Sequence, residues 1–288
     1  FRRVLFRSAS TSEYDVTMKQ DILCLLIAYP EFITNIERSD NGKVFIVMKS
    51  GKRILYDDKA IKNFDQKLSS PDLQDMMEQA YPLTSINSLM DINFDPGRCR
   101  VYSLLNEVYG SSKHQVELNL KNVNTGSGRS QFNGNNNASV SLNNVMKELI
   151  PLAKVQKDLA SCLYPCSGTF NYRIIAGTGR LSPHGFGIAI DLARDNRDFW
   201  KWASRDQGEK RLISYSKEMV QIFENNNFVW GGKWGHFDIL HFEYRPEIIL
   251  KARYFGEQDK NEKLWYKDAP IENPKVKENI KQIDNVLS

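Results

Sequence analysis

Two short stretches decide how the carboxyl-terminal half of the chain is built: SPHGFGIAID at residues 182–191 and DILHFE at residues 238–243. They contain His184 and His241, two of only four histidines in the chain, and the carboxylates of Asp191 and Asp238. Two imidazoles and one carboxylate are a ligand set that proteins use for zinc, with a fourth coordination position left open. A second carboxylate just before the last histidine supplies a candidate base.

The first stretch predicts a turn followed by a strand. Residues 187–192 have the pattern of a strand in which Gly187, Ala189 and Asp191 share one face. Two small residues beside Asp191 leave space for a ligand or a substrate. His184 lies in the preceding loop, and the glycines at 185 and 187 allow the backbone to fold it back over that face.

The second stretch predicts another strand, over residues 238–244. In one regular strand Asp238 and His241 would point to opposite faces, because successive side chains alternate. Both can face one metal only if Asp238 lies in a turn before the strand or at a bulge. The run GGKWG at residues 231–235 favours such a turn.

These residues predict a hydrolytic metal centre with one Zn²⁺ per chain. His184, Asp191 and His241 are the expected ligands, and a water in the fourth position has its pKa lowered to about 7. Asp238 is expected to accept the proton of that water and to pass it to the leaving amine.

A cation is also needed for the developing oxyanion. Arg173, in a segment (residues 169–175) with strand composition, is the first candidate, with a buried ion pair as its structural alternative; Arg180 is the second candidate. Five residues are candidates for substrate contact or for support of the ligands, although each has an ordinary structural explanation: Ser182, Arg180, His236, Trp234 and Glu243.

The two motifs resemble the D-Ala-D-Ala-type zinc peptidases of bacterial cell walls. That family includes D-alanyl-D-alanine carboxypeptidases and dipeptidases and phage L-alanyl-D-glutamate endopeptidases. The pattern Ser-x-His-x-x-Gly-x-Ala-x-Asp is matched at every fixed position, and Asp238-x-x-His241 is the aspartate variant of the second motif. Tyr172-Arg173 is similar to the family's Tyr-Arg, whose arginine contacts the scissile carbonyl. Residues 230–234 and 241–246 resemble the VanY-like subgroup.

The resemblance is firm over residues 168–250, fainter back to residues 95–98, and does not cover residues 1–90. It implies an α+β fold with a small antiparallel sheet flanked by helices, as in the Hedgehog and DD-peptidase zinc folds. It also implies an extracytoplasmic setting and a peptidoglycan stem peptide as substrate. Carboxypeptidase and endopeptidase action both remain open. The alternative is a catalytically silent, zinc-containing module that binds the cell wall.

Composition sets outer limits on function. A net charge of +4, spread along the chain, is too weak and diffuse to argue for nucleic acid binding. The longest apolar run, residues 22–29, is too short for a transmembrane helix, which needs about 20 residues. No signal peptide is visible, and a monomer is favoured.

The cysteines at 24 and 99 have the surroundings of buried thiols, whereas Cys162 and Cys166 are either free or joined by a local disulfide.

Three regions are expected. They are an α/β accessory region (residues 1–90, with the first residues disordered to about position 13), a VanY-like zinc peptidase domain (91–256) and a charged tail (257–288). Local patterns predict helices at 18–36, 72–80, 101–109, 141–159 (with a break at Pro151) and 212–223. They predict a hairpin at 43–56 and a loop at 122–137.

Overall fold

The computed structural model describes residues 7–256 and 264–287, and the side chains from residue 13 onward in the first of these ranges. Its α-helices, α1 to α12 in chain order, are Arg7–Ala28, Phe64–Ser69, Leu73–Met77, Tyr102–Tyr109, Lys113–Asn119, Ala138–Val155, Lys157–Leu163, Pro183–Phe186, Arg205–Ser214, Lys217–Asn225, Pro246–Phe255 and Pro274–Leu287. Its strands, β1 to β8, are Ile33–Arg38, Val44–Met48, Arg53–Leu55, Leu120–Asn124, Arg129–Asn133, Ala189–Asp191, Phe228–Trp230 and His241–Tyr244. Helices and small antiparallel sheets alternate along the chain, which agrees with the predicted α+β class.

The sheet that carries the two motifs has the order β6-β8-β7, with β8 in the centre and antiparallel to both neighbours. Its register places Asp191 directly opposite His241 and Ala189 opposite Glu243. Two of the three predicted ligands are therefore cross-strand partners, because facing residues of an antiparallel pair lie side by side.

The amphipathic helix α10 covers the side of this sheet that faces the core. Phe223 of α10 stacks on Phe242 of β8 with ring centroids 3.9 Å apart, and its edge meets Phe228 of β7 at 5.3 Å. All three aromatic rings are fully buried. This packing fixes the small sheet against the body of the protein, since strands this short have few hydrogen bonds of their own.

The amino-terminal region packs on the rest of the chain through α1, which lies against α11 and α12. Tyr29, just beyond α1, donates a hydrogen bond to Glu247 of α11 at 2.7 Å, and Asp21 pairs with Lys251 at 2.6 Å. Both aspartate and glutamate side chains are buried. Within the described part of the chain, no helix is both long and apolar enough to cross a bilayer.

Several local predictions are confirmed. The hairpin forms as β2 and β3, the helix at 101–109 forms as α4, and α10 ends at Asn225 as its asparagine run indicates. The predicted helix at 72–80 forms only as the short α3, capped by Asp72.

Other local predictions are wrong. The predicted helix at 18–36 ends at Ala28, and residues 33–38 are strand β1. The predicted loop at 122–137 contains most of the β4–β5 hairpin. Helix α6 runs through Pro151 and stops at Val155, so the break lies at Gln156, and a similar break near Tyr215 separates α9 from α10. The three expected regions stay a prediction: helix α1 is described from Arg7 and the charged tail contains α12, while residues 1–6, 257–263 and 288 lie outside the described residues.

The four cysteines are free in the described residues. Cys24 and Cys162 are buried, whereas Cys99 and Cys166 are partly exposed. The Cys166 thiol lies 3.3 Å from the carbonyl oxygen of Asp191, and burial raises its pKa to about 11. A thiol with a raised pKa carries little thiolate at neutral pH, so Cys166 is a poor nucleophile.

Candidate metal centre

His184 is presented by the short helix α8, whose boundaries follow from its sequence. The hydroxyl of Ser182 accepts a hydrogen bond from the backbone N–H of His184 at 3.3 Å, and Pro183 occupies the first helical position. Gly187 ends the helix with φ +70°, a conformation that glycine adopts without strain. A side chain at this position would also lie too close to Leu120. Glycine is therefore favoured both by the backbone conformation and by the lack of space.

The three predicted ligands converge. His241 Nδ1 lies 2.9 Å from Asp191 Oδ1, His184 Nε2 lies 3.2 Å from the same oxygen, and the two ring nitrogens are 3.3 Å apart. The side chains of His184 and His241 are only 6% and 7% exposed, whereas that of Asp191 is 27% exposed. The site is therefore enclosed on the side of the imidazoles and accessible on the side of the carboxylate.

Both imidazoles have their second nitrogen engaged elsewhere. His184 Nδ1 lies 2.6 Å from the carbonyl oxygen of Thr169, so it carries the hydrogen and leaves Nε2 free. His241 Nε2 faces Glu243 Oε2 at 3.7 Å, so Nδ1 is the nitrogen that points toward Asp191 and His184. Two free ring nitrogens and a carboxylate oxygen, held by such partners, fit zinc by ligand type and number.

The electrostatics of the triad favour a charged carboxylate. Burial opposes ionisation of Asp191, but the charges and hydrogen bonds of His184 and His241 outweigh it and hold its pKa well below the usual range. Burial likewise disfavours a charged His241, but the neighbouring carboxylates of Asp191 and Glu243 outweigh it and raise its pKa to about 10, so metal binding must displace a proton from this imidazole. A deprotonated carboxylate is the form that binds a metal ion.

Asp238 lies outside strand β8. This is the position it needs in order to face the same side as His241, because side chains within a strand alternate between faces. It pairs with Phe199 in an isolated antiparallel bridge, and its carbonyl oxygen accepts a hydrogen bond from His241 N at 3.1 Å across a tight turn. Gly231 makes room for it, because a Cβ on Gly231 would lie 2.4 Å from the carbonyl oxygen of Asp238. Burial raises the pKa of Asp238 to about 7, although the nearby charge of His241 acts in the opposite direction. A carboxyl group with a pKa near neutrality can both take up and release a proton.

Glu243 supports His241 from within the core. Its side chain is fully buried, and Arg100 grips both of its oxygens, with Nε to Oε1 at 2.8 Å and Nη2 to Oε2 at 2.5 Å. Burial opposes ionisation of Glu243, but Arg100 outweighs this and holds its pKa below the usual range. Of the roles left open for Glu243, this position fits support of His241 rather than contact with a substrate.

The two candidate cations lie in different surroundings. The expected strand over residues 169–175 does not form: only a single bridge between Ile174 and Leu181 is present, and the Arg173 side chain is exposed. The Arg173 carbonyl oxygen accepts a hydrogen bond from Ser182 N at 2.9 Å, which places its backbone beside helix α8. The guanidinium of Arg180 instead donates to the carbonyl oxygen of Leu68 at the end of α2. Arg173 is thus the freer of the two to meet a substrate.

Trp234 is a buried wall of the site. Its indole N–H donates to the carbonyl oxygen of Pro96 at 2.8 Å, and its ring centroid lies 5.7 Å from that of His241. Ser182, 2% exposed, caps helix α8. Both residues hold the ligands in place, and neither offers much surface to a substrate.

His236 belongs to a cluster that the sequence analysis missed. Its Nδ1 lies 2.8 Å from Asp95 Oδ2, and its backbone N–H donates to Asp95 Oδ1 at 2.9 Å. Arg98 donates to the same carboxylate at 2.6 Å. The imidazole is stacked on Phe64 and meets the edge of Trp200. In the sequence, residues 95–98 carry only the faint end of the resemblance, yet Asp95 holds the imidazole that lies two residues before Asp238.

A second group of possible metal ligands, formed by Asp57, Asp58 and Asp72, is already paired with lysines, and Lys59 contacts Asp57 at 3.0 Å. The ammonium of Lys62 lies 2.8 Å from Asp58 and 3.0 Å from Asp72. The donor set of this group contains carboxylates and no imidazole. It does not resemble the triad at His184, and the lysine takes the place that a cation would occupy.

The comparison with protein families agrees with this geometry. Residues 176–244 match the family model of D-alanyl-D-alanine carboxypeptidases. The matched segment contains all three predicted ligands and Asp238, and it confirms the resemblance indicated by the two motifs. No curated protein and no solved structure matches the chain.

Proposed function

We propose that the protein is a zinc metallopeptidase that hydrolyses a peptide bond in peptidoglycan stem peptides. The bond is of the D-alanyl-D-alanine carboxypeptidase type or the L-alanyl-D-glutamate endopeptidase type, and the setting is extracytoplasmic. The observation that carries the proposal is the convergence of His184, Asp191 and His241 within hydrogen-bond distance of one another, beside Asp238. The family match over residues 176–244 supports the substrate class.

Each residue has a role that follows from its position. His184 Nε2, His241 Nδ1 and an oxygen of Asp191 would hold the zinc. When bound, zinc supplies Lewis acidity, which polarises a carbonyl and lowers the pKa of water. Asp238 takes the proton of the attacking water and returns it to the leaving amine. Arg173, exposed beside helix α8, is our proposal for the cation that stabilises the oxyanion.

The proposal is tested with purified muropeptides whose cleavage products are identified by mass spectrometry. We expect metal-dependent release of one product, with loss of cleavage in a chelator and recovery on addition of zinc. Loss of a terminal D-alanine would identify a carboxypeptidase, whereas release of the whole stem after its first residue would identify an endopeptidase. A protein that binds zinc but cleaves no muropeptide would instead be a silent binding module. Cleavage that persists in the chelator would contradict the metal mechanism.

Activity is expected to depend on pH through Asp238. Only the carboxylate form of Asp238 can accept a proton, so the rate should rise as pH increases through its pKa. Burial places that pKa at about 7 without a metal, and a nearby cation lowers it further. At saturating zinc, we therefore expect the acid limb of kcat at or below about pH 7. A kcat that stays constant from neutral pH to well below the ordinary carboxyl pKa would exclude Asp238 as the base.

A further inference from the structure

The carboxylate behind His241 is fixed by a buried charge network that reaches far outside the matched segment. Arg100 lies between α3 and α4, 143 residues before Glu243 in the chain. Its guanidinium nevertheless donates hydrogen bonds to both carboxylate oxygens of Glu243. A third nitrogen of Arg100, Nη1, donates to the carbonyl oxygen of Arg98 at 2.8 Å. The Arg100 side chain is 9% exposed and the Glu243 side chain is fully buried. A two-pronged contact of this kind fixes the carboxylate in plane and in direction.

The network continues into the core through a second pair. Arg245 approaches Glu243 at 3.5 Å and bonds Glu247 at 2.6 Å, and Glu247 accepts the hydrogen bond of Tyr29. The Arg245, Glu243 and Glu247 side chains are fully buried. Two arginines balance two glutamates, so the four charges together are neutral. Tyr29 follows helix α1, which ties the amino-terminal region to the same network.

Such a network is costly for stability alone. Removing charges from water costs several kcal/mol per ion, and well-packed apolar residues often replace buried ion pairs without loss of stability. The network does orient the imidazole of His241. Glu243 Oε2 faces its Nε2, so the other nitrogen, Nδ1, faces Asp191 and His184. A carboxylate behind a ligating imidazole fixes both its tautomer and its ring orientation.

We infer that Arg100 and Glu243 are positioning residues of the metal centre, which present His241 Nδ1 to the ion. The inference rests on the metal site of the proposed function. It gives residues before the matched segment a part in that site. Arg100 holds Glu243, and Glu243 holds His241. Without the arginine, the carboxylate would lose both of its strongest hydrogen bonds and its fixed direction.

The test measures zinc affinity, by competition with a chromogenic chelator, in Glu243→Gln and Arg100→Met. We expect each variant to bind zinc about 10- to 100-fold more weakly, the usual effect of losing a residue that supports a ligand. Arg100→Lys keeps the charge but loses the two-pronged contact, and it should fall between Arg100→Met and the unaltered protein. If Arg100→Met does not fold, Arg100→Lys provides the comparison.

A matched control separates positioning from stability. Glu224 is also a buried glutamate, bonded to Lys233 at 2.6 Å and to the hydroxyl of Tyr81 at 2.6 Å. Glu224→Gln should destabilise the protein as a buried pair does, yet leave zinc affinity unchanged. Zinc affinity in Glu243→Gln and Arg100→Lys equal to that of Glu224→Gln would overturn the inference. If the unaltered protein binds zinc but cleaves no muropeptide, the proposed function fails while this comparison still stands.

Discussion

Replacing Asp238 with asparagine is expected to lower kcat for muropeptide cleavage by about 10²- to 10⁴-fold while zinc remains bound. Asparagine has almost the same size and shape as aspartate, but it cannot accept a proton. Asp238 stands outside the converging triad, in a turn before β8, so its carboxylate is not needed to hold the ion. Measurement of kcat and of zinc content in the same preparation checks both parts of the prediction.

The control for this variant is Asp40→Asn. Asp40 is exposed in the turn between β1 and β2, far in sequence from the site, and the same chemical change there should leave kcat unchanged. If Asp238→Asn keeps full activity, another group takes the proton and the assignment of the base is wrong. If it loses zinc as well, Asp238 is part of the ligand set.

Replacing His184 with alanine is expected to abolish both zinc binding and turnover. The change removes one of three donors and leaves a pocket closed by buried neighbours, since His184 is only 5% exposed. Zinc affinity should fall by more than the roughly 10- to 100-fold that follows loss of a supporting residue. Zinc content after dialysis and cleavage at saturating zinc are the two measurements.

His114→Ala serves as the matched control, because His114 is an exposed histidine on α5. It should bind zinc and cleave substrate like the unaltered protein. Full zinc binding in His184→Ala would mean that the ion is held elsewhere, and the triad would then lose its proposed role. Retention of turnover without zinc would contradict the whole mechanism.

Two of the three candidate ligands could be placed together from the sequence because their spacing is local, whereas His241 lies 50 residues beyond Asp191 and reaches it through the pairing of β6 with β8. His184 and Asp191 are seven residues apart, on a capped turn and the strand that follows, and both elements have strong local signals. The alternation of side chains along a strand also indicated that Asp238 must lie before β8 if it is to face the metal, and it does lie in a turn before β8. Arg100 could not be predicted in this way, since its partner Glu243 lies 143 residues away in the chain.

A β-bulge explains the error in the first helix. The pairing of β1 with β2 shifts between Ile33 and Asn35, so Ile33 and Ile36 are both buried although they are three residues apart. That spacing is the one expected for a helix face, and it extended the periodicity of α1 beyond its true end. Pro30 was the signal that the helix stops, because the residue before a proline disfavours the helical conformation.

The β4–β5 hairpin was missed for a different reason. Its strands are rich in asparagine and other polar residues, and Val123 and Phe132 are its main apolar anchors in the core. Composition then points to a loop, whereas pairing with a neighbouring strand decides the structure. The opposite error occurred at residues 169–175, which have the composition of a strand but no neighbouring strand to pair with. The segment instead passes beside helix α8.

The facing positions of Asp191 and His241 have a consequence for the folding of the sheet itself. The two strands that carry them are three and four residues long, and a slip of one residue would turn these side chains to opposite faces. An ion bound by residues of both strands and of helix α8 would be compatible with only one register of β6 against β8. Zinc would therefore stabilise this alignment relative to a shifted one, and the protein should melt at a higher temperature when zinc is present.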